Sequence, residues 1–143
     1  MQSNKLPNLY SLTAIGVGTF LGSVLAAGYM LASNYNALGQ KKIGHWVIGI
    51  SIVWVVLLIL LPAEWSTSPT FAVVFLIGQV VLVLAITQKL QGAMFTSFEE
   101  MGGKYFSIWR AVAIGVIASF ALIIIASLMV SLFGLAPTPT AST

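Results

Sequence analysis

Few side chains in this 143-residue sequence could take part in chemistry. His45 is the only histidine, Glu99 and Glu100 are two of the three acidic residues, and there is no cysteine. A metal site normally needs three or four nitrogen, sulfur or carboxylate ligands. His45, Glu99 and Glu100 would converge only if two separate connections between helices folded together. We therefore predict no metal site, and we interpret His45 as a side chain at the membrane boundary.

Gln79 and Trp54 lie near the middle of apolar segments, where they could contact a solute or a ligand. An amide such as Gln79 can line a pore or bind an ion, but a single one more often hydrogen-bonds to a neighbouring helix. Trp54 could hold a pigment, a quinone or a lipid, although a tryptophan at this depth more often packs against a helix or lipid. We predict helix packing for both and keep a pore or ligand contact as the alternative.

The hydroxyl groups of the chain are not placed for catalysis. A serine or threonine nucleophile needs an adjacent base, whereas these hydroxyls occur at helix-packing spacing and far from His45 in the sequence. The glycines form no phosphate-binding loop. We predict that the protein is not an enzyme and needs no cofactor, although a bound lipid or pigment is compatible with the sequence.

The composition predicts a protein that is dissolved in lipid. Hydrophobic residues make up 59% of the chain and charged residues 6%, whereas about a quarter of the residues in soluble domains are charged. The formal net charge of +3 is too small and too scattered for nucleic-acid binding, which needs a clustered basic face. The expected partner is therefore the lipid bilayer, and nucleic acid is not expected.

Four apolar segments are long enough to cross a bilayer, which needs about 20 residues per helix. A polar stretch separates the third from the fourth, and within it Leu90, Met94, Phe98 and Met101 lie on one helical stripe, as in a helix at the membrane surface. We predict an all-α membrane protein with four transmembrane helices in a bundle and a short interfacial helix between helices 3 and 4. The single four-helix transmembrane domain covers 1–133, a Pro/Thr tail covers 134–143, and the spans cover about 10–33, 45–61, 70–88 and 106–133.

Small residues predict where the helices pack. Ala14, Gly18, Gly22 and Ala26 recur every four residues in the first span, so a continuous helix would stack them on one face where a second backbone can approach closely. Gly115 and Ser119 form a similar ridge in the fourth span. The first helix should therefore be the most tightly packed, with the fourth helix as its natural partner.

The basic residues predict an orientation. The first and third connections hold five of them, and the opposite side holds only Lys5. Under the positive-inside rule the side with more lysine and arginine faces the cytoplasm. We predict a multi-pass protein with both termini outside the cytoplasm, and the five residues are Lys41, Lys42, Lys89, Lys104 and Arg110.

Two stretches carry a resemblance to a known group of proteins. The first is NYNALG at 34–39, and the second runs from LQG at 90–92 through Phe95 and Gly102-Gly103 to Ser107 and WRA at 109–111. This pattern resembles that of small four-helix bacterial inner-membrane proteins with no assigned activity. The resemblance implies the architecture and a location in the bacterial inner (cytoplasmic) membrane, and it implies no reaction.

The same stretches suggest a cytoplasmic cap over the bundle. Asn34 and Asn36 could satisfy the carbonyl groups left open at the end of the first helix. Arg110 could reach those carbonyls or pair with Glu99 and Glu100. Such a cap would hold the first and third connections together.

Two functions from different classes fit these observations. The first is a non-catalytic membrane subunit that scaffolds or stabilises a complex through helix packing, with other transmembrane subunits or further copies of itself as partners. The second is a small oligomeric channel or carrier for a small solute or ion. The groups that would line its path are Gln79, Thr19, Ser23 and Ser119.

Overall fold

The computed structural model describes residues 6–60 and 68–133, and these residues form four helices with no strand among them. All four are long and apolar enough, by length and composition, to cross a membrane. The predicted all-helical class is therefore confirmed. Residues 1–5, residues 61–67 and the predicted Pro/Thr tail at 134–143 lie outside the described residues. The helices are α1 (Leu12–Ala37), α2 (Lys41–Ile59), α3 (Pro69–Glu100) and α4 (Ile108–Phe133).

Helix α3 begins at a signal that is readable in the sequence. The hydroxyl of Ser68 accepts a hydrogen bond from the backbone N–H of Phe71 at 3.4 Å, and Pro69 occupies the first turn. Serine satisfies a backbone donor that the helix leaves open, and proline fits the first position because no acceptor is available for an N–H there.

The separate interfacial helix between helices 3 and 4 is not present in the described residues, because α3 continues without interruption through residues 89–100. The hydroxyl of Ser97 donates within the helix to the carbonyl of Ala93 at 3.1 Å, so it does not cap a new helix. The helix ends only where Gly102 adopts a φ of +73°, a left-handed conformation that glycine reaches without steric cost. Since no proline or glycine pair occurs before that point, the helical hydrogen-bond ladder simply extends past the apolar span.

Helix α1 folds back on itself. Its backbone leaves the helical conformation at Gly22 (φ −122°, ψ 17°) and Ser23 (φ 58°, ψ −166°). Tyr10, just before the helix, exchanges two backbone hydrogen bonds with the side chain of Asn34, close to its end. A straight helix would hold these residues about 36 Å apart at 1.5 Å per residue. Helix α1 is therefore a hairpin of two half-helices that reverses at Gly22 and Ser23.

The hairpin changes the membrane topology that the sequence predicts. Its halves, 12–21 and 24–37, rise about 15 Å and 21 Å, and both are shorter than a hydrocarbon core of about 30 Å. The chain therefore returns toward the side of the fold on which it starts, and 10–33 is not the single straight helix that the predicted crossing requires. Leu9 consequently lies beside the connection between α3 and α4, where its carbonyl accepts from Phe106 N–H at 2.8 Å. Leu9 and Tyr10 thus lie beside that connection and not at the opposite end of the bundle.

Helix α1 is the centre of the fold. Helices α2, α3 and α4 each pack on α1 and make few contacts with one another. In the most apolar stretch of α1, 56% of the residues are buried, against 11 to 17% in the other three helices. The prediction that the first helix is the most tightly packed is confirmed.

Candidate functional site

The two halves of α1 and helix α4 cross at a site that has no room for side chains. A Cβ atom on Gly22 would lie 2.5 Å from the carbonyl oxygen of Gly115, and one on Gly115 would lie 2.7 Å from Cβ of Leu21. The hydroxyl of Ser119 donates to the carbonyl of Leu21. Carbonyl groups in the last turn before a helix break lack their usual donor, and Ser119 supplies one here.

The predicted packing residues of the first span belong to two different elements. Ala14, Gly18 and Gly22 lie in the first half of α1 or at its end, whereas Ala26 lies beyond the reversal. All four are buried. They nevertheless do not form one continuous ridge, because the break separates the fourth from the other three.

A buried polar network joins the two ends of the hairpin. Oδ1 of Asn34 accepts from the Tyr10 N–H at 2.7 Å, and its Nδ2 donates to the Tyr10 carbonyl at 2.9 Å. The same amide nitrogen lies 3.3 Å from Oε1 of Gln91 on α3. The cap model expects Asn34 to bind the carbonyls at the end of α1. The structure shows instead that Asn34 binds the backbone before α1. Asn36, the second residue assigned to those carbonyls, is exposed.

Arg110 stacks on aromatic rings at the base of the hairpin. Its guanidinium carbon lies 4.0 Å from the ring centre of Phe106 and 5.7 Å from that of Tyr10. Over the described ranges, no ion pair joins it to Glu99 or Glu100, the partners proposed for it from the sequence. A guanidinium over an aromatic face is stabilised by the ring quadrupole, so this cation fastens α4 to the segment before α1.

Glu99 has a different partner. Its carboxylate accepts a hydrogen bond from the hydroxyl of Tyr105 at 2.9 Å. Burial, together with the hydrogen bond and the negative charge of Glu99, raises the pKa of Tyr105 to about 12. Glu100 is exposed one residue later. The contacts that the cap model predicts for Asn34, Glu99 and Arg110 are therefore replaced by contacts with Tyr10, Gln91, Tyr105 and Phe106.

The break in α1 opens onto a cavity of about 470 Å³ that lies among all four helices. Of the described residues that line it, only Ser23 and Gln79 are polar. Gln79 is 5% exposed, and no hydrogen bond joins its amide to another described residue. The hydroxyl of Ser23 is buried and has no hydrogen-bond partner among the described residues. The apolar lining residues are Val55, Leu58, Ile59, Phe71, Ala72, Phe75, Leu76 and Leu122.

The other groups considered for a polar path lie elsewhere. The Thr19 hydroxyl donates to the carbonyl of Ile15 at 2.7 Å within its own half-helix, and that of Ser119 is bound to Leu21. Trp54 does not line the cavity, and its indole nitrogen is buried with no partner in the described part of the chain. Of the four path residues that the sequence suggests, only Ser23 and Gln79 share a cavity.

His45 is exposed on α2. Together with Lys42 and Trp46 it lines a groove along that helix. In the part of the chain that the structure describes, no three histidine, cysteine, aspartate or glutamate side chains come together.

Two residues of these sites, Tyr10 and Gln91, were not identified from the sequence as site residues, and Ser23 was named there only as a path residue and not as the point where the helix breaks. Gln91 is completely buried, and its place in an otherwise amphipathic segment could have indicated a buried amide. Ser23 resembles any serine of a membrane helix, where the hydroxyl usually bonds back to the carbonyl four residues earlier. Only the backbone conformation distinguishes it.

Comparisons with models of protein families, with curated proteins and with solved structures find no match for this chain. The fold nevertheless defines a class. The chain is a multi-pass helical membrane protein, built around a broken first helix that the other three surround.

Proposed function

We propose that the protein is a non-catalytic subunit of the membrane that packs against the transmembrane helices of partner chains. The observation that carries this proposal is a groove of about 520 Å³ along the outer face of α2. Gly49 forms its floor, and no described residue comes within 4 Å of a Cβ built there. Trp46 and Ile50 stand beside it, 67% and 64% exposed.

The absence of a side chain at Gly49, between the larger side chains on this face of α2, leaves a depression where a second helix can approach closely. Membrane helices associate through close packing at small residues, because lipid supplies no hydrophobic drive between them. The inner face of α2 already has such a contact, since a Cβ on Gly28 of α1 would lie 2.6 Å from Cβ of Ser51. Gly49 is a single small residue among the larger ones that line the groove on the exposed face of α2, and this supports docking of a further helix there.

We place the protein in the bacterial inner membrane, with the base of the hairpin on the cytoplasmic side. Lys41, Lys42, Lys104 and Arg110 all lie near that base, and Lys89 lies on the part of α3 that leads to it. The positive-inside rule favours the cytoplasm for this face. Because α1 is a hairpin, the residues before it go to the same side, so the proposal that both termini lie outside is replaced by an N-terminal segment inside and the end of α4 outside.

Gentle solubilisation tests the subunit proposal. We expect the tagged protein, extracted from its native membrane in a mild detergent, to migrate above the mass of one chain with its detergent. Gly49→Leu should abolish that association by filling the groove. Gly78→Leu is the matched control, because the described residues leave open space within 4 Å of a Cβ at that exposed position on α3. A monomer with no associated chain, or equal loss in both variants, would contradict the proposal.

A small channel or carrier is the second candidate, and one observation favours it. Non-helical backbone at membrane depth, as at Ser23, is typical of the broken helices that bind substrates in transporters. Liposomes that contain the purified protein should then pass a small solute or ion, and Gln79→Leu should slow that flux. Flux that is absent for all common ions and small neutral solutes would remove this candidate.

A further inference from the structure

We propose that the cavity at the break of α1 is a binding site for a neutral, mainly apolar ring compound that carries a hydroxyl or carbonyl group. This site is independent of the α2 groove, and it requires neither a partner chain nor transport. We name it the hairpin cavity. It lies between the reversal of α1 at Gly22 and Ser23, the end of α2, the first half of α3 and Leu122 of α4.

The first argument is that two polar groups in the hairpin cavity lack partners among the described residues. Gln79 is only 5% exposed, and its amide has no hydrogen bond to another described residue. The hydroxyl of Ser23, on a different element, is buried and also unbonded. Buried amide and hydroxyl groups are nearly always hydrogen-bonded. An amide and a hydroxyl can each donate and accept, so each of these groups can bond to a hydroxyl or carbonyl group of a ligand.

The second argument is the backbone at Ser23. Its φ of 58° with ψ of −166° lies in a region that is costly for any residue with a Cβ atom, and such conformations collect at binding sites. The hydrocarbon core of a membrane contains no water that could hydrogen-bond to non-helical backbone. Such backbone therefore occurs at this depth only where it is buried in protein or lines a cavity. Here it does both, which places the reversal at the wall of the hairpin cavity.

The third argument concerns the charge and shape of the ligand. None of the described lining residues is ionisable, and transfer of a charged molecule to such surroundings is strongly unfavourable. The rings of Phe71 and Phe75 stack on one another at 21°, with their centres 5.7 Å apart, and both residues line the hairpin cavity, so its wall includes aromatic surface against which a ligand ring can pack. The volume of about 470 Å³ falls within the range of small-molecule sites, which is about 300 to 1,000 Å³.

Photolabelling in phosphatidylcholine vesicles tests this site. Two probes are used, a phenyl diazirine that carries a hydroxymethyl group and the same phenyl diazirine without it. We expect the hydroxymethyl probe to label peptides around Ser23 and at the start of α3 at least five-fold more than lipid-facing peptides of α4. Gln79→Leu should remove most of that excess, while labelling by the unsubstituted probe should not change.

Ser23→Gly provides a second variant, because it removes the hydroxyl and suits the backbone conformation at that position. It should also reduce the excess labelling, even if Gln79→Leu does not fold. Ser127→Ala is the matched control, since this exposed hydroxyl donates to the carbonyl of Ile123 within α4. Even labelling of all helices, equal labelling by the two probes, or an excess that both Ser23→Gly and a folded Gln79→Leu retain would overturn the proposal.

Discussion

The side chain of Asn34 closes helix α1 onto the backbone of Tyr10, which precedes that helix by two residues. It accepts from the Tyr10 N–H at 2.7 Å and donates to the Tyr10 carbonyl at 2.9 Å, so it pairs with the backbone as a neighbouring strand would. Both residues are buried, at 1% and 0% exposure. This contact spans 24 residues of sequence, and it fixes the hairpin on which the arrangement of the other helices depends.

The hairpin predicts which residues share a side of the membrane. Because the chain has no cysteine, single cysteines at Asn8, Lys104 and Thr70 can be labelled with a maleimide that does not cross membranes. We expect Asn8→Cys and Lys104→Cys to react from the same side and Thr70→Cys from the other. A first helix that crosses would instead pair Asn8→Cys with Thr70→Cys, and that result would contradict the hairpin.

Replacement of Asn34 should destabilise the protein strongly. Asn34→Leu keeps the approximate volume but leaves the buried N–H and C=O of Tyr10 without partners, and each unsatisfied group costs about 1 to 3 kcal/mol. We expect a loss of about 2 to 4 kcal/mol in the free energy of unfolding in detergent. The exposed Asn36→Ala is the control and should change it by less than about 0.5 kcal/mol. Equal effects would show that the amide contact does not hold the hairpin.

The crossing of α1 and α4 should not tolerate a methyl group. Gly22→Ala places a Cβ 2.5 Å from the carbonyl oxygen of Gly115, and because backbone lies on both sides the strain cannot be relieved by a side-chain rotation. Overpacking of this kind costs about 1 to 3 kcal/mol, and we expect the upper end of that range in thermal unfolding. Gly78→Ala, at an open helical position, should instead stabilise the protein by about 0.5 to 1 kcal/mol.

Ser23→Gly should stabilise the protein and Ser23→Ala should not. Glycine relieves the strain of the φ of 58°, which costs of order 1 to 3 kcal/mol for a residue with a Cβ atom. Glycine also lowers the free energy of unfolding by about 0.5 to 1 kcal/mol, because it gives the unfolded chain more conformational freedom. A net gain of about 1 kcal/mol is expected, measured as a higher unfolding temperature than that of Ser23→Ala. The reverse order would mean that the helix does not break at this residue.

Stability should fall at strongly alkaline pH because of Tyr105. Its pKa is raised from an ordinary value of 10.0 to about 12 by burial and by Glu99. The folded protein therefore keeps this proton while the unfolded chain loses it. The stabilisation is complete below about pH 10 and is lost as the pH rises toward about 12.

Ultraviolet absorbance detects this titration directly. We expect a late phenolate step near pH 12 whose amplitude falls in Tyr105→Phe and does not fall in Tyr29→Phe, a control at a side chain that is 49% exposed. Thermal unfolding of Tyr105→Phe should also depend less on pH between 10.0 and about 12. A late step that survives undiminished in Tyr105→Phe would assign it to another tyrosine.

Several features of the fold were readable because they depend only on local chemistry. Apolar length identifies α2 and most of α3 as spans, and Ser68 followed by Pro69 identifies the first turn of α3. Gly102 marks the end of α3, since glycine is the residue that most easily takes up a left-handed conformation. The packing of α1 with α4 was also indicated. Gly22 and Gly115 have no side chain, so they allow two helices to approach closely whether α1 is straight or bent.

Other features could not be read because they depend on contacts between distant residues. The continuation of α3 through residues 89–100 was missed because an amphipathic stripe is equally compatible with a surface helix and with an extension of the preceding span. The position of Arg110 was missed because a cation near two glutamates in sequence suggests ion pairs. Its neighbours in space are the rings of Phe106 and Tyr10.

The sequence by itself determined that this is a helical protein dissolved in lipid, since apolar length and the scarcity of charge are properties of each segment alone. The tertiary structure decided that the first segment is a hairpin and not a span. A serine and a glycine inside 26 helical residues give no local signal for a reversal. The reversal is favourable only when Asn34 meets Tyr10 and Gly22 meets Gly115, and those contacts exist only once the whole chain has packed.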